Sequence, residues 1–269
     1  MKNTVKLSVL LVSILALAAG ASATTITLAS SPGTTNYVGY VATNPYAEPA
    51  ANNTFDNSQL ASGSGAAAIA VTNPGGWSSA LTGSVWISNV ANSGPTEPDY
   101  VAPYGYYTYT ETFIDPGDTT IASGSLSIMA DDTAAVLLNG TLIAGYESLG
   151  DDSHCATGGA GISCGGSYTF NLGGMNLVYG INTLTIVDLQ AGTGGTGDAA
   201  GIDYYGTITT APEPRTWALL GSGLLGLMFL TQRQAKPSVI HNVRTPALER
   251  LHGTSIPKTA SRPCNRRPL

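Results

Sequence analysis

The stretch Gly124-Ser-Leu-Ser-Ile-Met-Ala-Asp-Asp-Thr-Ala-Ala-Val-Leu-Leu-Asn-Gly-Thr-Leu-Ile-Ala144 decides the fold class. Apolar and small or polar residues alternate from Gly124 to Ala130, which is typical of a half-buried strand. Ala134 to Leu138 is a second β-prone run. Asn139-Gly140 then turns the chain into Thr141–Ala144, because Asn-Gly between apolar runs is the strongest short-range signal for a hairpin. The stretch therefore predicts β-strands joined by a tight turn.

Similar short runs continue in both directions and are separated by Gly, Pro, Asn and Ser. The predicted strands are Thr25–Leu28, Tyr37–Val41, Ala66–Thr72, Ser84–Ser88, Tyr106–Ile114, Tyr168–Leu172, Leu184–Leu189 and Ile202–Ile208. No convincing helical stripe occurs between residues 24 and 211. Many short strands with turn residues between them predict an all-β fold, a single jelly roll or β-sandwich over residues 24–210.

The N-terminus has the features of a secretory signal. Lys2 and Lys6 precede an apolar run from Leu7 to Ala18, and small residues follow up to Ala23. This order predicts a signal peptide over residues 1–23, cleaved after Ala23. The domain at 24–210 is therefore expected to be exported.

A second apolar segment lies near the C-terminus. The triplet Pro212-Glu213-Pro214 precedes an uncharged run, Thr216–Gln232, that is bounded by Arg215 and Arg233. The run is near the minimum length for a membrane-spanning helix, and a buried core helix is the alternative. A helix formed by this run would be apolar on all sides, which favours a membrane-spanning helix over a buried core helix. We predict a membrane segment over 211–233 and a basic, disordered tail over 234–269.

Charge divides the chain at the same place. No Lys or Arg lies between residues 24 and 214, whereas all acidic residues except Glu249 lie in that span. A domain without cations cannot neutralise phosphate, so nucleic acid is excluded as its partner. Its carboxylates must be solvated, hydrogen-bonded or neutralised by a metal. The basic tail favours the cytoplasmic side of the membrane.

The segment with Pro212, Glu213 and Pro214, followed by Trp217-Ala-Leu-Leu-Gly221, resembles the PEP-CTERM sorting signal of Gram-negative envelope proteins. The resemblance implies an exosortase-type sorting protease as partner. It also implies an inner-membrane-anchored intermediate and a final location at the cell surface or in the extracellular matrix. Members of that family normally end a few residues after the helix, whereas this chain continues from Gln234 to Leu269.

The region from Trp77 to Ile208 resembles galactose-binding-like jelly rolls. The resemblance rests on the 124–140 stretch, on Tyr168-Thr-Phe170 and on Gly180-Ile-Asn-Thr-Leu184. It implies binding of extracellular carbohydrate. The aspartate pair with Asn139-Gly140 is also similar to the PA14 type of β-sandwich, in which paired aspartates hold calcium beside a sugar. That second similarity fits the rest of the chain less well.

Two groups of side chains are candidates for ligand binding. Asp131 and Asp132, completed by Asp151 and Asp152, predict a Ca²⁺ site, since this hard cation takes several oxygen ligands; the alternative is a solvated turn with aspartates that cap backbone amides. Aromatic residues that could stack on sugar rings form the second group, while Trp86 and one face of Tyr106–Tyr109 are expected in the core. The aromatic candidates are Trp77, Tyr100, Tyr104 and Tyr146.

Cys155 and Cys164 are the two cysteines of the exported domain, and in an oxidising compartment they favour a disulfide. A metal site with His154 is the alternative, but it lacks a fourth ligand at the usual spacing. Catalysis has little support, because the domain has no Lys or Arg and its single histidine, His154, lies beside the predicted disulfide. We therefore predict a non-catalytic protein. A purely structural surface protein is the alternative, and a glycoside-active enzyme with two carboxylates is a third.

Overall fold

A computed structural model of the chain describes the region from residue 23 to residue 210 in seven segments. They are residues 23–42, 54–72, 74–96, 100–115, 120–147, 161–191 and 198–210, and residues 221–223 and 225–226 are described as well. The β-structure reported below belongs to one compact unit, Met1–Ser222.

Strands account for most of this structure. In chain order they are β1 (Thr25–Ala29), β2 (Thr35–Ala42), β3 (Ala66–Ala67), β4 (Ile69–Ala70), β5 (Ile87–Ser88), β6 (Gly105–Asp115), β7 (Ile121–Asp131), β8 (Thr133–Leu138), β9 (Thr141–Ala144), β10 (Tyr168–Asn171), β11 (Gly180–Gln190) and β12 (Gly201–Thr210). A single turn of 3₁₀ helix, Asn57–Gln59, lies between β2 and β3.

The strands form two antiparallel sheets. The first sheet has the order β10-β7-β12-β5-β4, with β1 also paired to β12. The second has the order β3-β2-β6-β11-β8-β9. The prediction of an all-β fold is confirmed. The jelly-roll type and the galactose-binding-like kinship stay predictions.

Alternation on β6 explains how the sheets pack. Tyr107, Tyr109 and Phe113 are buried and belong to the core cluster between the sheets, whereas Thr112 and Ile114 are exposed on the outer face. The aromatic run was expected to place one face in the core, and it does so because successive strand residues point to opposite sides. Trp86 is also buried, as predicted.

The predicted hairpin is present between β8 and β9. Asn139 and Gly140 both have positive φ, 50° and 77°, which is the backbone of a type I′ turn. Asn139 is also held from the neighbouring strand, since its Nδ2 donates to Asn182 Oδ1 at 2.8 Å. The backbone N–H of Thr183 donates to Asn139 Oδ1 at 2.9 Å. The turn therefore ties β8–β9 to β11.

The predicted strand Ala66–Thr72 is divided in the structure. Ala66–Ala67 pairs with β2 in the second sheet, and Ile69–Ala70 pairs with β5 in the first. Ala68 lies buried between them, and its N–H donates to the Thr35 carbonyl at 2.9 Å. The prediction of one continuous strand was wrong here. A run of β-prone residues indicates that a strand forms, but it does not indicate which sheet each residue joins.

A second crossing between the sheets determines the position of the candidate site. Strand β7 ends in the first sheet at Asp131, and β8 begins in the second sheet at Thr133. Asp132 is the single residue between them, and the Asp131–Asp132 peptide bond is cis. The aspartate pair thus lies at one end of the sandwich, where the two sheets are joined.

The predicted signal peptide lies outside the described residues except for Ala23, and so does the Pro212-Glu213-Pro214 motif. Five residues between 221 and 226, within the predicted membrane segment, are helical. No helix among the described residues is long and apolar enough to span a bilayer.

Candidate functional site

Four carboxyl groups gather at the end of the sandwich where β7 passes into β8. They are Asp131 and Asp132, Asp188 near the end of β11, and Asp198 just before β12; we refer to these four as the acidic cluster. Register explains the gathering, because Asp131 pairs with Gly201 and Asp188 pairs with Ala134. Residues that are far apart in sequence are therefore neighbours here.

The acidic cluster is buried. The exposed fractions are 4% for Asp131, 0% for Asp132, 0% for Asp188 and 1% for Asp198. Asp and Glu are almost never fully buried unless they are paired with another group. No Lys or Arg occurs between residues 24 and 214 to provide that pairing.

Two members of the cluster are held by N–H donors. Trp77 Nε1 donates to Asp131 Oδ2 at 2.6 Å, and the backbone N–H of Ala191 donates to Asp132 Oδ2 at 2.8 Å. The Asp132 N–H itself donates to the Leu189 carbonyl at 3.2 Å. These bonds fix both side chains and hold Asp132 against the end of β11.

Other oxygens of the cluster lack such a donor. Both carboxyl oxygens of Asp188 are buried and have no hydrogen-bond partner among the described residues, whereas the side chains of Asp131 and Asp132 are hydrogen-bonded to each other, which requires a proton on one of them. Buried polar atoms are nearly always bonded, so each exception calls for a proton, a water or an ion.

Burial raises the pKa values of these carboxyls. The pKa of Asp131 is raised to about 7, mainly by burial, even though the bond from Trp77 opposes the shift. Burial, and next the charge of Asp131, raise the pKa of Asp132 well above its usual range. The same two causes raise the pKa of Asp188. In a metal-free protein the cluster therefore favours protonated carboxyls.

The described residues contain no group of three or more His, Cys, Asp or Glu side chains arranged to hold a metal ion. Asp131 and Asp132 are the members that could contribute oxygens to a cation. Asp151 and Asp152, which were expected to complete the site, lie outside the described residues. The calcium prediction therefore rests on the pair at the β7–β8 crossing.

The predicted aromatic residues do not form one exposed platform. Trp77 is 9% exposed and packs on Trp86, with ring centroids 4.3 Å apart. Tyr100 is half-buried and donates to Asn89 Oδ1 at 3.3 Å. Tyr104 is half-buried in the loop before β6. Tyr146 packs against Tyr106 at 5.8 Å, and its hydroxyl donates to Gln59 at 3.1 Å.

Of the two cysteines in the predicted disulfide, Cys164 lies among the described residues. Cys164 is buried in the same cluster as Trp77 and Trp86. Cys155 and His154 lie outside the described residues, so the disulfide stays a prediction.

Asp188 and Asp198 are the site residues that sequence reasoning missed. For Asp188 a signal was present: it follows Leu184 and Ile186 at spacing two within a predicted strand, and both of these are core residues. An acid at a core position of a strand is costly to bury, which points to a special role. For Asp198 we find no comparable signal.

A separate groove opens on the outer face of the second sheet. Its volume is about 350 Å³, and its lining includes Asn36, Ser62, Thr108, Thr110 and Thr185. The Ala61 N–H donates to Thr108 Oγ1 at 2.9 Å and fastens the loop that forms one wall. None of the predicted ligand residues lines this groove.

No protein-family model and no curated protein match the chain. Among solved structures, a GH26-CBM35 β-(1,4)-mannanase from Podospora anserina is similar at 15% identity and a TM-score of 0.29, covering 55% of this chain and 26% of that one. A β-glucosidase from Kluyveromyces marxianus in complex with glucose has 15% identity and a TM-score of 0.27, covering 53% of this chain and 16% of that one. These TM-scores are too low for the likeness to carry an argument, and the chain matches about a quarter or less of each structure's length.

Proposed function

We propose that the protein is a non-catalytic, exported carbohydrate-binding protein. Its β-sandwich binds extracellular polysaccharide with the help of Ca²⁺ held by Asp131 and Asp132. The observation that supports this most directly is the burial of Asp131 and Asp132 side by side in a span, residues 24–214, that has no Lys or Arg to pair with them.

The charge distribution supports a metal at this place. An ionised carboxylate inside a protein is costly unless it is paired or bound to a cation. Four buried acids gather here, and no Lys or Arg exists in residues 24–214 to pair with them. A divalent cation would neutralise the aspartate pair and replace the protons that burial otherwise retains.

Calcium suits the donors better than a transition metal. The available groups are carboxylate oxygens, and Ca²⁺ takes six to eight oxygen ligands in flexible geometry. Asp131 and Asp132 hold the cation in this proposal, and the fixed backbone around Ala191 holds Asp132.

Melting temperatures with calcium and with chelator test the metal site. We expect Ca²⁺ to raise the melting temperature of the purified protein, as a ligand that binds the folded state alone must do. Asp132→Asn should abolish this rise. Asp56→Asn is the matched control, because Asp56 is an exposed cap of the 3₁₀ turn and should leave the rise intact. A wild-type melt that does not respond to calcium would contradict the proposal.

A glycan array with and without calcium tests the ligand. We expect neutral polysaccharides to bind only in the presence of calcium, and Asp132→Asn to lose this binding. Calcium binding without any glycan binding would favour the structural alternative, a surface protein without a small ligand. Release of sugar from polysaccharide would favour the glycoside-active enzyme instead.

The export and the cellular location of the protein are part of the same proposal. We propose export by the N-terminal signal and sorting by an exosortase-type protease at the Pro212-Glu213-Pro214 motif, through an inner-membrane-anchored intermediate, to the surface or matrix of a Gram-negative cell. The sequence resemblance and the position of the basic residues support it. Mass spectrometry of the C-terminus of the exported protein tests it: we expect cleavage near the motif, and an intact Leu269 at the cell surface would contradict it.

A further inference from the structure

The four most exposed large apolar side chains among the described residues lie close together. Tyr179 is 75% exposed, Ile114 69%, Ile181 68% and Val178 48%. Ile114 on β6 and Ile181 on β11 are direct partners in the register of the second sheet. Val178 and Tyr179 come shortly before β11 begins at Gly180. We call these four residues the apolar patch, and an exposed patch of this kind marks an interaction surface.

The backbone beside the apolar patch is held by the buried side chain of Asn182. Asn182 Oδ1 accepts from the Val178 N–H at 2.9 Å, and its Nδ2 donates to the carbonyls of Val178 at 2.9 Å and Gly180 at 3.2 Å. Leu177, the residue before the patch, is buried in the core between the sheets. The exposure of these apolar side chains is therefore a property of the folded state.

The apolar patch lies at the end of the sandwich where the last strand ends. Thr210, the final residue of β12, is paired with Ile121 at the start of β7. The Ile121 N–H donates to the carbonyl of Met175 at 2.8 Å, and Met175 lies just before the patch in the chain. Beyond Thr210 the sequence continues into the uncharged run Thr216–Gln232. The chain therefore leaves the sandwich toward its predicted membrane segment from the end that exposes the patch.

The connection between Thr210 and the uncharged run is short. Only residues 211–215 separate them, and five fully extended residues span at most roughly 18 Å. If the run lies in a bilayer, this end of the sandwich must stay near the bilayer surface.

We infer that the apolar patch is a membrane contact: Ile114, Tyr179 and Ile181 enter the interface of the bilayer that holds the C-terminal segment. This inference rests on the membrane anchoring proposed above. A tyrosine side chain has an apolar ring and a polar hydroxyl group, which suits the boundary between lipid and water. Four side chains make a weak contact by themselves, but a short tether gives them a high effective concentration at the surface.

The charge of the domain indicates which lipid this contact needs. No Lys or Arg occurs between residues 24 and 214, so anionic headgroups have no cation to attract. Burial of the apolar side chains must supply the attraction instead. Vesicles of phosphatidylcholine, which has no net charge, are therefore sufficient to test it.

Tyr179→Trp in the full chain, reconstituted in phosphatidylcholine vesicles, is the direct test, because bromine on the acyl chains quenches a tryptophan that contacts them. The emission of the unmodified protein is subtracted, since it already contains Trp77, Trp86 and Trp217. We expect the added emission to be lost in brominated vesicles. Ile181→Trp, at another exposed position, should lose its added emission in the same way and serves if the first variant does not fold.

Tyr40→Trp is the matched control. Tyr40 is an exposed tyrosine as well, but it is paired with Tyr107 near the start of β6, whereas Ile114 lies near the end of that strand. The emission that this substitution adds should be the same in brominated and ordinary vesicles.

Added emission from Tyr179→Trp and Ile181→Trp that brominated lipid leaves unchanged would overturn the inference. A blue shift of that emission without quenching would overturn it as well, because a second copy of the chain would then cover the patch. Equal quenching of Tyr40→Trp would show that the domain contacts lipid without preference for this end. If the full chain does not float with the vesicles in a density gradient, the proposed anchoring fails first and this inference fails with it.

Discussion

The hydroxyl group of Tyr204 donates to Glu111 Oε2 at 3.0 Å and joins the two sheets through the core. Tyr204 lies on β12 in the first sheet, and Glu111 lies on β6 in the second. The Ala29 N–H donates to the same oxygen at 3.2 Å, and Thr35 Oγ1 lies 2.6 Å from the Tyr204 hydroxyl. An acidic side chain thus lies in the interior without any cation beside it.

Glu111 should make the free energy of unfolding depend on pH. Burial raises its pKa to about 7, although the bonds from Tyr204 and Ala29 oppose the shift. The folded state therefore binds a proton that the unfolded state releases, so the free energy of unfolding should fall as pH rises from about 4.5 to 7. The share of Glu111 is roughly 1–3 kcal/mol.

Urea unfolding of the protein and of Glu111→Gln between pH 5 and 8 measures this share. The glutamine variant should lose less stability over that range, because its side chain does not titrate. Asp131 also titrates in this range, because burial raises its pKa to about 7, but it is present in both proteins and cancels in the difference. Parallel pH profiles for the two proteins would show that Glu111 does not contribute.

Ser30 should matter for stability because it holds a buried carboxyl group. Its hydroxyl group, which has one proton, lies 2.8 Å from two acceptors, Asp203 Oδ1 and the Val85 carbonyl, and it accepts from the Tyr204 N–H at 3.1 Å. Ser30→Ala leaves these groups without this partner, so we expect a loss of about 1–3 kcal/mol in the free energy of unfolding. Ser127→Ala is the control, because its hydroxyl bonds to Thr169 at the exposed surface. Equal effects of the two variants would contradict the expectation.

The positions of the strands could be predicted because each strand corresponds to a local pattern in the sequence, a β-prone run bounded by turn residues. The hairpin Ala134–Ala144 follows from Asn139-Gly140, whose residues can adopt the positive φ that the turn requires. The division at Ala68 could not be predicted, since the choice between two sheets depends on partners that are distant in sequence. Local patterning therefore predicts strand positions better than strand pairing.

The candidate site was predictable only in part, for the same reason. Asp131 and Asp132 stand out because they are adjacent acids at the end of an alternating run. Their neighbour Asp188 is brought to them by the pairing of β8 with β11. The donor to Asp131 comes from Trp77, 54 residues earlier in the chain. Aromatic side chains that look like ligand platforms in a sequence can thus serve as buried hydrogen-bond donors.

Asn182 should be important because one buried amide serves several groups. Its Oδ1 accepts from the Val178 N–H at 2.9 Å, and its Nδ2 donates to the Val178 carbonyl at 2.9 Å. It also accepts from Asn139 at the hairpin turn. Asn182→Ala should lower the free energy of unfolding by about 1–3 kcal/mol in urea titrations. Asn176→Ala, at an exposed position, is the control, and a similar loss there would contradict the role.

Gly206 should tolerate no side chain because β12 is paired on both sides. It lies opposite Leu28 on β1 and Leu126 on β7, and an added Cβ would overlap the Ser125 carbonyl oxygen. Gly206→Ala must therefore push two paired strands apart, which should cost about 1–3 kcal/mol of unfolding free energy in thermal or urea melts. Gly145→Ala is the control, since no atom lies within 4 Å of its added Cβ. An unchanged melt for Gly206→Ala would show that the strand pairing around this position is looser than the structure describes.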